Sequence, residues 1–127
     1  MHQTALKRLS AILYSRGIKF KLQPISGIDA KDGCDIIVNG KTCELKTGVA
    51  RREWDANLPA WKFNIHRHGK LGKPAKIYAF YCPLTGSRGI WLFVPYPEIK
   101  GRLVVQMTVR SIAMRWGKWI NRYDLFA

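Results

Sequence analysis

The dipeptide Asn39-Gly40 constrains this chain more than any other feature, because runs that read as strands flank it on both sides. Asn-Gly is the strongest short-range signal for a two-residue hairpin, since a type I′ turn demands positive φ at both central residues. Cys34-Asp35-Ile36-Ile37-Val38 and Lys41-Thr42-Cys43-Glu44-Leu45-Lys46 are then expected to pair antiparallel, with strands over about 34 to 38 and 41 to 47. Counting outward from the turn sets Val38 opposite Lys41, Ile37 opposite Thr42, Ile36 opposite Cys43 and Asp35 opposite Glu44.

Directly opposed residues hold their Cβ atoms roughly 5 Å apart, and two carboxylates so placed repel unless a cation changes the balance. A divalent cation does that. Lys46 lies two residues beyond Glu44, so strand alternation puts it on the same face, diagonal to Asp35. The other face receives Ile36, Val38, Cys43 and Leu45, the composition of a core. The competing reading is an exposed, salt-bridged strand face on which Lys46 merely compensates Glu44.

Charge narrows the partners. The 127 residues carry 22 Lys and Arg against 8 Asp and Glu, a net charge of +14, which calls for a polyanion. Nucleic acid is preferred to a membrane surface, because the basic residues are spread along the chain and no apolar run approaches spanning length. The start, Met1 to Arg8, leads into an amphipathic pattern without a signal peptide's apolar segment, so an intracellular protein is expected. Cys34, Cys43 and Cys82 show no C-x-x-C spacing and read as reduced, mostly buried thiols.

Asp35 followed by Glu44-Leu45-Lys46 resembles the Asp...(Asp/Glu)-x-Lys signature of the PD-(D/E)xK nuclease superfamily. Residues Trp61-Lys62-Phe63-Asn64-Ile65-His66-Arg67-His68-Gly69-Lys70 are similar to a segment that follows the motif in small, intron-associated homing endonucleases. Both regions lie within residues 35–70, 36 of the 127 residues. Two positions depart from the pattern: Cys34 stands where the family name has Pro, and the first helix has no Glu, with Gln3 the nearest substitute for a further metal-associated carboxylate.

The resemblance implies a metal-dependent DNA endonuclease with Asp35, Glu44 and Lys46 as catalytic residues. Asp35, Glu44 and the backbone carbonyl of Leu45 would hold Mg²⁺ or Mn²⁺, and the ion would polarise a phosphodiester and activate a water. Lys46 would orient that water or stabilise charge on the phosphate, two roles the sequence does not separate. The implied fold is α/β (α+β) with a restriction-endonuclease-like core, a mixed central β-sheet flanked by N-terminal and C-terminal helices. Cleavage of both strands by one compact site requires a homodimer or higher homo-oligomer. A prokaryotic or phage-like cytoplasmic setting goes with the intron-associated type. Two alternatives share the fold and the charge: a structure-specific nuclease such as a Holliday-junction resolvase, and a catalytically silent DNA-binding module.

Element periodicity agrees with one domain over residues 1–127. Leu6, Leu9, Ile12 and Leu13 predict a helix over about 4 to 16, and Ile18 to Leu22 alternates as a strand. Gly48 to Leu58 is weakly patterned and expected to be loop. Trp61, Phe63 and Ile65 alternate with Lys62, Asn64 and His66, predicting another strand, and Lys76–Cys82 and Ile90–Val94 read as buried strands. Thr108 is an N-cap candidate for a terminal helix whose buried face would run Val109, Ile112, Ala113, Trp116, Ile120 and Tyr123.

Further nucleic-acid contacts are expected from Asn64, His66, Arg67, His68, Lys70 and Lys73, and from Arg115, Lys118 and Arg122 on the helix face away from the core. Two histidines two apart make a poor zinc set. Asp29 and Asp32 either join the metal shell or, more in keeping with their Gly-rich context, serve as turn acids. Trp91 and Trp116 fall in apolar periodicity and belong to the core, whereas Trp54 is the tryptophan most suited to stack on a base.

Overall fold

The computed structural model describes residues 2–22, 36–52, 59–65, 74–84, 88–102 and 104–127. Helix α1 (His2–Ser15) buries Ala5, Leu9 and Leu13 completely, the apolar stripe expected at i, i+4 and i+8. Its last turn closes when Gly17 and Ile18 donate their backbone N–H groups to the carbonyls of Tyr14 and Leu13.

Among the described residues eight strands follow: β1 (Phe20–Leu22), β2 (Ile36–Val38), β3 (Lys41–Thr47), β4 (Val49–Arg52), β5 (Pro59–Asn64), β6 (Ile77–Cys82), β7 (Ile90–Pro95) and β8 (Val104–Thr108). Five of them form a mixed sheet in the order β1-β2-β3-β6-β7, in which only the β3–β6 pair is parallel. Strands β4, β5 and β8 form a second, antiparallel sheet. A parallel pair needs a long crossover. Here that crossover contains β4 and β5, so the connection itself lays a second sheet over the first.

The five-stranded sheet is therefore covered on both faces. One face packs on α1 and the chain's C-terminal turn, with Ile36, Val38, Cys43, Leu45, Ala79 and Phe93 in that core. The other packs on the three-stranded sheet through Tyr78, Phe80, Leu92 and Val94 against Trp61, Phe63, Val105 and Met107. Burial on both faces explains why every residue of β6 is buried and why its sequence is continuously apolar. The expected α+β architecture with a mixed central sheet and two helices is observed.

Two local expectations are corrected. Part of the segment expected to be loop is strand β4, whose Val49–Arg52 pairs with Pro59–Lys62; weak patterning was overridden by an available partner edge. The rest of that segment, 53–58, lies outside the described residues. Strand β8 was also unforeseen, although Val105 and Met107 alternate inward with exposed Val104 and Gln106.

The terminal helix is much shorter than its pattern implied. Thr108 does cap it: its hydroxyl accepts from the Ser111 N–H at 3.0 Å while the Ser111 hydroxyl accepts from the Thr108 N–H at 2.8 Å. Regular α2 covers only Val109–Ser111, followed by a π turn over Ile112–Trp116 and a 3₁₀ turn over Gly117–Trp119. Ile112 and Trp116 are buried against one face of the central sheet and Tyr123 against the other, whereas Val109 and Ala113 are exposed. One straight helix cannot reach both cores. The chain instead crosses the β7 edge in extended form, with Ile120 bridging Leu92 and the Asn121 N–H donating to the Trp91 carbonyl at 3.0 Å.

Candidate active site

The β2–β3 hairpin has the register expected from its turn: Val38 pairs with Lys41, Ile37 with Thr42 and Ile36 with Cys43. Asn39 (φ 49°) and Gly40 (φ 82°) supply the two positive φ angles. Alternation along β3 sends Cys43 and Leu45 into the α1 core, so Glu44 and Lys46 project from the opposite face of the same strand. β3 lies between β2 and β6, and at Glu44 and Lys46 the strand is held by its parallel pairing with Tyr78 and Phe80 of β6.

The Lys46 Nζ stands 3.5 Å from Glu44 Oε1, with only 20% and 15% of the two side chains exposed. Tyr78, which pairs with Glu44 across the parallel ladder, adds a third polar group. It is fully buried, and its hydroxyl donates to the Glu44 carboxylate. Burial first, and then the negative charge of Glu44, push the phenol well above the ordinary tyrosine range. A carboxylate, an ammonium and a phenol thus meet at a rigid strand. Such a set can hold a hard cation, steady an anion or orient water.

Tyr78 was not singled out from sequence, because its partnership with Glu44 exists only through the parallel β3–β6 register. The available signal was a tyrosine in an otherwise apolar, wholly buried strand, where a hydroxyl needs a partner.

Asp35 lies outside the described residues, one position before β2 begins. So do Asp29, Asp32, Cys34, Trp54, His66, Arg67, His68, Lys70 and Lys73. Among the described residues no group of three His, Cys, Asp or Glu side chains gathers. Asn64 is exposed at the end of β5, where it pairs with Val104, and Lys62 is exposed beside it while Trp61, Phe63 and Ile65 are buried as alternation required.

Arg115, Lys118 and Arg122 do not share one helix face, since the helix they were read on is not continuous. Each sits over an indole ring: the Arg115 guanidinium 5.1 Å from the Trp116 centroid, Lys118 Nζ 5.2 Å and the Arg122 guanidinium 5.3 Å from that of Trp119. Arg122 also grips Asp124 in a two-pronged pair at 2.8 and 3.0 Å, which raises the guanidinium's pKa and lowers the carboxyl's. Trp91 and Trp116 are buried, and so are the Cys43 and Cys82 thiols, as expected.

No protein-family model matches the sequence, and no curated protein matches it. Among solved structures, the bacterial homing endonuclease I-Ssp6803I is similar over 98% of this chain and 86% of its own, with a TM-score of 0.68 and 11% sequence identity. The likeness shows the fold. Among the described residues no helix is long and apolar enough to cross a membrane.

Proposed function

We propose that the chain is a metal-dependent DNA endonuclease whose centre is formed by Asp35, Glu44 and Lys46. The observation that carries this reading is the hairpin register. The observed register ends at the Ile36–Cys43 pair; one further pair, outside the described residues, would bring Asp35 opposite Glu44, which itself meets Lys46 at 3.5 Å. A fold shared with a solved homing endonuclease and a net charge of +14 support the same conclusion.

The proposed donors are all oxygens, from the Asp35 and Glu44 carboxylates and the Leu45 carbonyl, a set suited to Mg²⁺ or Mn²⁺. When bound, such an ion supplies Lewis acidity toward the phosphodiester and lowers the pKa of the attacking water. The chain's own residues do the rest. Tyr78 is a positioning residue that fixes the Glu44 carboxylate by donating to it. Lys46, tethered beside Glu44, places a positive charge where the phosphoryl oxygens gain negative charge, which acts on the transition state more than on bound DNA. Asn64, His66, Arg67, His68, Lys70, Lys73, Arg115, Lys118 and Arg122 would contact the backbone, with Arg122 weakened in that role by Asp124. One such centre cuts one strand, so cutting both requires a homo-oligomer.

The test is incubation of supercoiled plasmid and of a branched duplex with Mg²⁺, with Mn²⁺ and with EDTA. Cutting in either metal alone is expected, and the substrate preferred separates a homing-type enzyme from a junction resolvase. Absence of cutting on every substrate would leave a DNA-binding module. Thermal melts provide a readout besides activity: metal should raise the melting temperature of wild type by mass action and do so much less for Asp35→Asn.

A further inference from the structure

On the face of the central sheet opposite Glu44 and Lys46, α1 and the start of β7 flank an open pocket of about 600 Å³. Arg8, Arg16 and Arg88 line it with Ser15, Trp91 and Asn121, and among the described residues no acidic side chain joins the lining. Arg8, Ser15 and the intervening turn present one helix face to it, as i and i+7 positions do.

Two of the guanidiniums, those of Arg8 and Arg16, are held in place by aromatic groups. Arg8 Nη1 donates to the Tyr81 hydroxyl at 3.1 Å, and that hydroxyl donates in turn to the backbone carbonyl of Arg88 at 3.1 Å. The Arg16 guanidinium lies 4.0 Å from the centroid of the Tyr123 ring. Tyr81 and Tyr123 are themselves buried, so they act as fixed backing. Among the described residues none of these three arginines is ion-paired with a carboxylate. Three cations gathered around one pocket repel each other, and an anion with several acceptor oxygens relieves that cost through charge-assisted hydrogen bonds.

Strand register locates the pocket within the sheet. Thr47, Tyr81 and Trp91 form one cross-strand row, and Lys46, Phe80 and Leu92 form the next. The pocket thus adjoins the row beside Lys46, at the end where parallel β3 and β6 finish, the usual place for ligands in sheets with parallel strands.

We propose that this pocket is a phosphate-binding site, taking a backbone phosphate of a nucleic acid strand that passes the end of the sheet. The preference for phosphate stands on the pocket alone; that the phosphate belongs to nucleic acid rests on the function proposed above. A free nucleotide presents the same chemistry, and the test separates the two sources.

Arg88→Gln is the variant of choice, because Arg88 is exposed and, among the described residues, its contact with the fold is made by its backbone carbonyl. In one arm, thermal melts compare inorganic phosphate and adenosine monophosphate with chloride at equal ionic strength. In the other, duplex binding is followed against salt in EDTA, where no cleavage interferes. The expected result is a rise in melting temperature with phosphate that Arg88→Gln reduces, and a log K against log salt slope lowered by about 0.9 in the variant, the value for one phosphate contact. Loss of phosphate protection with an unchanged slope would overturn the nucleic acid source in favour of a free phosphate ligand. A wild type indifferent to both anions, with equal slopes in the two proteins, would overturn the site. Metal-dependent cutting that survives such a result leaves the nuclease reading standing; a functioning pocket without cutting in any metal does the opposite.

Discussion

Glu44 and Lys46 form the pair on which the proposed chemistry turns, and their coupling is measurable without any substrate. At 3.5 Å, Coulomb's law gives about 5 kcal/mol at an effective dielectric near 20 and about 1 kcal/mol in bulk water. With 15% and 20% of the side chains exposed, the pair sits nearer the first limit than an open surface pair does, though desolvation offsets part of the attraction. A coupling of about 2 kcal/mol is expected. The assay is a double-mutant cycle of Glu44→Gln, Lys46→Met and the double variant, by urea denaturation in EDTA. Lys46→Met alone should cost most, because it leaves the Glu44 charge in a niche beside buried Tyr78. The double variant should recover much of that loss, as both charges then leave together. A coupling energy below about 0.5 kcal/mol, the figure of an exposed surface pair, would refute the view that the strand holds this pair in a semi-enclosed niche.

Lys46→Ala should lower metal-dependent cleavage about a hundredfold or more at saturating metal while leaving duplex affinity within a few-fold, as measured by nicking rate and by equilibrium binding in EDTA. Tyr78 has a folded pKa raised above its unfolded value, so its contribution to stability is complete below pH about 10 and is lost as pH rises further. Tyr78→Phe should be less stable at neutral pH by about 1.5–3 kcal/mol, the worth of a hydrogen bond to a charged group, yet show a flatter decline above pH 10 in urea midpoints; the decline that persists belongs partly to Cys82, whose burial raises its thiol. Gly48→Ala should destabilise the chain by about 1–3 kcal/mol, because a Cβ there would meet Trp61 Cβ at 2.8 Å and Phe63 ring atoms at 2.9 and 3.0 Å; a denaturation midpoint equal to wild type would show that the two sheets can separate at no cost.

The hairpin was legible because two adjacent residues of unusual backbone tolerance fix its register, and a one-residue slip would turn Cys43 and Leu45 out of the core. The sides taken by Glu44 and Lys46 follow from that alone. What sequence did not disclose depends on contacts between distant segments. Strand β4 is apparent only once β5 is beside it, and the partnership of Tyr78 with Glu44 only once β3 and β6 run parallel. At the C-terminus the apolar spacing was real but was read as one face. Ile112 and Trp116 serve one core and Tyr123 the other, a division no helical wheel can express.

Stability alone does not account for Glu44 and Lys46 where they stand. Among the described residues no charged side chain is fully buried, and the two large cores lie on either side of the sheet that carries this pair. A nearly enclosed ion pair is a poor contributor to stability, since well-packed apolar residues of similar size commonly do as well or better. The neighbouring positions Cys43 and Leu45 follow that apolar solution on the other face of the same strand. A carboxylate steadied by a tyrosine hydroxyl and faced by an ammonium is what a site needs when charge must be held ready rather than cancelled, and the net charge of +14 supplies the field that would bring a phosphate backbone to it.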